Sequence, residues 1–210
     1  MVQTKNGNRE RKKSTEKGKI ILAAAMEEFL ANGYAATSMD RIATRAGVSK
    51  ATVYNHFQDK QELFTAIVKQ LTEGRIRKIF NLEDPQGMEG QPRIVLRRLG
   101  TKVLKEASNS PDIIDFMRLI IGESGRFPEL GQAYINNLAK PVIGTLTKYF
   151  ASCRELKIAD PEATARVFMG TIVYYIVLQE ALKAKEVMPM ESDRLIDTLV
   201  DAIVIKGNRE

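Results

Sequence analysis

An all-α fold is predicted by three observations. Apolar residues recur at helical spacing along most of the chain, no segment sustains the alternation of a strand, and clusters of Gly, Pro, Asn and Asp separate the periodic runs. At 210 residues, 44% of them hydrophobic, the chain can bury a full core and build one large or two small domains. It contains no internal repeat.

The first helix is carried by Ile20, Ile21, Leu22, Ala24, Ala25, Met26, Phe29 and Leu30, and Asn32, Gly33 and Tyr34 close it. Thr37 or Ser38 then offers a side-chain oxygen ahead of Met39, Ile42, Ala43 and Ala46, with Asp40 in the first turn as a reciprocal cap would require. Gly47 follows, where a left-handed residue is needed to end the helix. Val48 fills the turn and Ser49 caps a short helix over 50–56. Ala51, Val53 and Phe57 are expected to face inward. Lys50, Thr52, Tyr54, Asn55 and His56 are then left outward, a row of donors with little use for stability and a good fit to a groove in double-stranded DNA. Asp59 and Glu62 open a further helix with Leu63, Phe64, Ile67, Val68 and Leu71 on its apolar stripe.

That helix is expected to run to about residue 80, where the turn-rich stretch 83–92 marks a domain boundary. An amphipathic helix with Ile94, Val95, Leu96, Leu99, Val103 and Leu104 follows and fades at Ser108, Asn109, Ser110 and Pro111; the next runs over 112–121. Gly122, Gly125 and Pro128 break the pattern. Leu130, Tyr134, Leu138, Ile143, Leu146 and Phe150 continue it, with Pro141 as a kink or a restart. Asp160 and Pro161 launch a helix over 163–185, and a last one spans 192–205. The chain thus divides into a flexible basic tail at 1–13, a helix-turn-helix domain at 14–60, a connecting helix at 61–83 and a C-terminal helical domain at 84–210.

The formal charge is +6, and up to Lys60 eleven Lys and Arg face six Asp and Glu, so five of the six net charges lie beside the helix-turn-helix. Release of counterions from a polyanion rewards such a placement. Lys17 and Lys19 open the first helix, where phosphates would pass. Cys153 is the only cysteine, which excludes an intrachain disulfide and a zinc site built on paired cysteines. Glu27 and Glu28 interrupt the first hydrophobic stretch as no signal peptide would, and the longest apolar run, 168–178, is too short to cross a bilayer. A cytoplasmic location with no membrane partner is expected.

Ile21, Leu22, Ala23, Ala24, Ala25, Phe29, Asn32, Gly33, Tyr34, Thr37, Ser38, Met39, Ile42, Ala43, Ala46, Gly47, Val48, Ser49, Lys50, Thr52, Val53, Tyr54, His56, Phe57, Lys60, Leu63 and Phe64 together resemble the DNA-binding domain of TetR-type bacterial transcriptional regulators. The resemblance covers the first third of the chain. It implies a three-helix, homeodomain-like reading domain followed by a helical bundle that binds a small-molecule effector and dimerises through the last two long helices. It implies that Thr37 and Ser38 present a helix N-terminus to phosphate, that Arg45 lies near the groove, and that Ser49, Lys50, Thr52 and Asn55 read base edges. Tyr54, His56 and Lys60 match phosphate-holding positions, and Lys17 joins them from the first helix.

For the effector, the resemblance and the apolar character of the C-terminal helices together put forward Phe116, Met117, Ile120, Phe127, Tyr134, Leu138, Phe168, Met169, Ile172 and Tyr175 as a lining suited to a lipophilic or flat aromatic molecule. The stretch 122–130 resembles one subgroup of these regulators, including some that control efflux pumps. No metal and no tightly held cofactor is implied. The expected function is that of a homodimeric, ligand-released repressor on a near-palindromic operator; an activator or a nucleoid-type DNA-binding protein is the alternative on the same residues. A helical ligand carrier or an enzyme is the remoter one, since a single His and a single Cys give no nucleophile beside an evident base.

Overall fold

The computed structural model describes residues 3–71, 79 and 88–207, with side chains from Thr15 to Val204. All regular elements among them are helical. The chain forms two compact units, one of Met1–Gln70 with Leu119–Tyr134, the other of Leu71–Arg118 with Ile135–Glu210.

In the first unit, α1 (Gln3–Ala36) is followed by α2 (Met39–Ala46), α3 (Lys50–His56) and α4 (Lys60–Leu71). The expected flexible tail at 1–13 is, from Gln3 onward, helical backbone continuous with α1. Its Lys, Arg and Glu residues favour helix, and extending an existing helix requires no new nucleus. α1 breaks at Gly33, whose φ of 76° and ψ of 166° lie outside the helical region, so Tyr34 turns back toward the core. Phe29 and Tyr34 stack with ring centroids 5.4 Å apart, and Phe64 from α4 meets both edge-on at 5.8 Å. Ile21, Ile42, Val53 and Leu63 complete this core with no exposed surface. Each such side chain contributes about 1.5–3 kcal/mol through burial.

The unit also contains a segment the sequence assigns to the other domain. Leu119–Tyr134 carries the end of α6 (Pro111–Glu123) and the helix Pro128–Tyr134, here α7. Phe127 places its ring 4.9 Å from that of Tyr34, and the Glu123 carboxylate accepts the Tyr34 N–H at 3.2 Å. A Cβ on Gly33 would stand 2.8 Å from the same Glu123 oxygen, so both the backbone angle and the close approach require glycine. Leu119–Tyr134, expected within the C-terminal domain over 84–210, packs with the first unit because a carboxylate and an aromatic ring 89 or more residues downstream satisfy the broken end of α1.

The second unit is built from α5 (Pro92–Ser108), the first part of α6, α8 (Lys140–Ser152), α9 (Pro161–Ile176) and α10 (Ser192–Gly207). Arg93 pairs with Asp201, and Arg97 Nε meets Asp197 at 2.5 Å, a ladder that makes α5 and α10 antiparallel. Gly100 lets them approach, since a Cβ there would meet Ile196 Cδ1 at 2.5 Å. Leu96, Leu146, Phe150, Phe168, Ile172, Ile196 and Val200 form the core. Pro141 does not begin a separate helix: the Ala139 backbone ahead of α8 is helical, and the ring follows a π turn at Ile135–Ala139, a local widening that relieves the clash of a proline with the carbonyl four residues back.

The helix expected over 163–185 stops earlier. It passes into a π turn at Val177–Ala181, where the Leu182 N–H reaches back five residues to Val177 O at 2.8 Å, and Lys183 takes a left-handed φ of 56°. Arg118 donates to the Glu180 and Ala181 carbonyls left over by that turn, at 3.0 and 2.7 Å. The expected turn at 83–87 lies outside the described residues. No described helix is long and apolar enough to cross a membrane, and no group of described His, Cys, Asp and Glu is arranged to hold a metal ion.

Candidate nucleic-acid interface

The turn between α2 and α3 is set by its caps. Ser38 Oγ accepts the Arg41 N–H at 3.3 Å, and Gly47 is left-handed with φ 64°, which lets the Val48 N–H return to Ala43 O at 3.1 Å. Ser49 Oγ accepts the Thr52 N–H at 3.2 Å and lies 2.8 Å from the Thr52 hydroxyl. With its start fixed, α3 buries Val53 completely and turns Lys50, Tyr54 and Asn55 outward. Ala51, expected inward, is exposed; one buried residue and the half-buried Phe57 hold so short a helix. His56 is half-buried with Nδ1 at 2.8 Å from the Thr52 carbonyl, so that nitrogen carries the hydrogen.

Every Lys and Arg between Thr37 and Lys60 has an intramolecular partner. Arg45 donates to Glu28 at 2.7 Å and to Glu27 at 3.1 Å, while Arg41 reaches Glu28 at 3.3 Å and Asn32 at 3.2 Å. Lys50 Nζ lies 2.8 and 3.0 Å from the two carboxylate oxygens of Asp40. Lys60 Nζ donates to the backbone carbonyls of Tyr34 at 2.5 Å and Thr37 at 3.0 Å, and sits 4.3 Å from the centre of the Tyr34 ring. Burial holds its amine below the ordinary lysine value. The expected phosphate role of Lys60 thus competes with a use inside the protein, as a cap on the carbonyl end of α1. Thr37 is likewise turned inward: it is 3% exposed and its hydroxyl donates to Gly33 O at 2.8 Å or Glu28 O at 3.1 Å. Ser38 and Lys17 are exposed.

Glu28, missed as a site residue from sequence, organises this face. It is 4% exposed and also accepts Asn32 Nδ2 at 2.9 Å. The Arg45 hydrogen bond chiefly holds its carboxyl below the ordinary value of 4.5. The folded unit binds that proton less readily than the unfolded chain, so the stabilisation is complete above pH 4.5 and is lost as pH falls through the lower folded value. Glu28→Gln is accordingly expected to lower stability near neutrality and flatten its acid-side decline, as measured by urea unfolding across that range. Its one sequence signal is a carboxylate inside an apolar run. An open groove of about 390 Å³, lined by Glu28, Asp40, Arg41, Thr44 and Arg45, runs beside the pair of helices.

Comparison with known proteins agrees with this geometry. Residues 21–67 match the bacterial regulatory proteins of the tetR family, and residues 94–205 match the C-terminal domain of AefR-like transcriptional repressors. The chain belongs to the TetR family. It is therefore a helix-turn-helix transcriptional regulator, not an enzyme. The HTH-type regulator YvkB of Bacillus subtilis (strain 168) is 28% identical over 195 residues, covering 90% of this chain and 95% of YvkB. A TetR-family regulator from Mesorhizobium loti MAFF303099 superposes with a TM-score of 0.70 at 26% identity, over 91% of this chain and 96% of that one. The flavonoid-responsive regulator FrrA superposes with a TM-score of 0.71 at 26% identity, over the same shares.

The effector candidates of this TetR-family chain separate between the units. Ile120, Phe127 and Tyr134 belong to the first, where Phe127 packs on Tyr34 and burial raises the Tyr134 hydroxyl above its ordinary value. Phe116, Met117, Leu138, Phe168, Met169, Ile172 and Tyr175 belong to the second. Phe168 and Ile172 are wholly buried; Met117, Leu138, Met169 and Tyr175 are partly buried around the same core. The Tyr175 hydroxyl donates to Met190 O at 3.0 Å, and the buried Gln179 amide donates to Met188 O at 2.8 Å.

Proposed function

We propose that this regulator is a homodimeric repressor that binds a near-palindromic operator with one α3 per half-site and is released by a lipophilic or flat aromatic effector. The observation that carries the dimer is a seam on α9. Ala163, Val167, Gly170 and Tyr174 recur at spacings of four, three and four residues and are all exposed, Val167 at 58% and Tyr174 at 63%, while Phe168 and Ile172 fill the core on the other flank. On α10, the half-buried Leu195 and the exposed Thr198 and Ala202 repeat the spacing. Apolar seams of this period suit helix packing between two copies, and a two-fold dimer matches two half-sites about one helical turn apart.

Met117, Leu138, Met169 and Tyr175 support an adaptable apolar effector site, and the flavonoid-responsive neighbour supports a planar aromatic class. Release requires that the effector bind the DNA-incompetent conformation more tightly, and only that difference in affinity can move the equilibrium. Ser38, Ser49, Lys50, Thr52, Tyr54, Asn55, His56 and Lys17 remain the proposed DNA face; the buried Thr37 and the half-buried Lys60 support it from inside the domain, and the exposed Arg45 is held beside it by Glu27 and Glu28.

The test is selection of duplexes from a random pool with the full chain, followed by titration of the selected complex with a planar flavonoid. A two-fold-related site, a dimer by sedimentation and loss of the complex on titration are expected. Many duplexes of equal affinity would instead indicate a nucleoid-type protein. Retention of the complex would exclude the flavonoid class, and lower reporter output on deletion of the gene would indicate an activator.

A further inference from the structure

Four cations stand between Thr37 and Lys60, and their pairings are of two kinds. Arg41, Arg45 and Lys60 are tied to the buried Glu28 or to backbone carbonyls, and those bonds hold the domain together. The Lys50–Asp40 pair differs. Both side chains are more than half exposed, at 60% and 63%, so the pair adds little to stability. Lys50 is also the first residue of α3, on a helix end whose dipole disfavours a cation. The amine is nevertheless held by both Asp40 oxygens and lies 5.8 Å from the centre of the Tyr54 ring. Asp40 supplies this from the first turn of α2, ten residues away, where it also favours the N-terminus of its own helix.

We propose that Asp40 is a specificity-determining residue of the DNA-binding site: it positions the Lys50 amine at the head of α3 for a base edge and withholds its charge from phosphates of arbitrary sequence. This inference rests on the reading of α3 as the element that enters the groove. A lysine without a partner extends to whatever phosphate is nearest and strengthens binding to all duplexes. Lys50 paired with Asp40 must give up a carboxylate to do so. Against a base edge no such exchange is needed, because the amine has donors to spare beyond those directed at Asp40.

The test uses the full chain, the duplex selected by the wild-type protein and a random-sequence duplex of equal length, at several salt concentrations. Asp40→Asn is expected to raise affinity for the random duplex by about 3–10-fold and to steepen its salt dependence by about 0.9, the increment for one added phosphate contact, with less than about a 2-fold change on the selected duplex. In a Lys50→Gln background the same substitution is expected to alter neither slope nor discrimination. An equal rise on both duplexes, no change on either, or an undiminished effect in the Lys50→Gln background would overturn the proposal. Failure of the wild-type protein to select any duplex would overturn the reading of α3 and this inference with it, which separates the two.

Discussion

Replacing Val167 and Tyr174 together by Asp is expected to give a monomer by sedimentation, with operator affinity reduced by about 10²- to 10⁴-fold. The factor follows from the loss of linkage between two half-sites: the second contact in a dimer is intramolecular, at an effective concentration that a separate monomer never reaches. The substitutions act at the seam and not through the fold, because both side chains are more than half exposed on α9 and the core beneath is filled by Phe168 and Ile172. Two carboxylates per subunit would also face their copies across the two-fold axis, where like charges repel. Far-UV circular dichroism is expected to be preserved. A dimer that persists, or a monomer that binds the operator as before, would show that another surface makes the assembly.

The second large effect is on stability. Lys60→Met keeps the stem of the side chain but removes the amine that caps the Tyr34 and Thr37 carbonyls and lies over the Tyr34 ring. Charge-assisted bonds of this kind contribute about 2 kcal/mol, and the carbonyl end of α1 would be left to water. For a unit of this size the melting temperature is expected to fall by about 8–16 °C. The salt dependence of DNA binding should not change. If Lys60 instead holds a phosphate, as its position in the family suggests, the slope would flatten by about 0.9 while the melting temperature stays put. Thermal melts and salt titrations of the one variant therefore choose between the two roles.

The parts of this molecule that were legible in sequence are those decided by neighbours in the chain. Ser38, Gly47 and Ser49 act within four residues of themselves, so the limits of α2 and α3 follow from residue type. Gly33 ends the regular part of α1 for the same reason. What could not be read depends on partners far along the chain. Lys60 finds carbonyls 23 and 26 residues back, Arg45 finds Glu28 seventeen back, and Glu123 crosses 89 residues to the Tyr34 amide. Nothing local marks Phe127 as a neighbour of Tyr34 and not of an effector. The π turns escape for another reason. A π turn leaves the apolar period nearly intact while shifting its phase by one residue, so 163–185 reads as one unbroken helix although its regular part ends at Ile176.

On the proposed DNA face, the pairing of Arg41, Arg45, Lys50 and Lys60 would separate capture from reading in time. Seven of the eleven Lys and Arg up to Lys60 precede Ile20, in the opening turns of α1, against two Glu there. By charge in the sequence, the long-range field that draws a duplex in is expected to come chiefly from that end, with an association rate that falls steeply with ionic strength. The helix-turn-helix behind it, with its own charge largely neutralised, then acts mainly on how long a duplex stays. Arrival would then be governed by one end of a helix and residence by the next two.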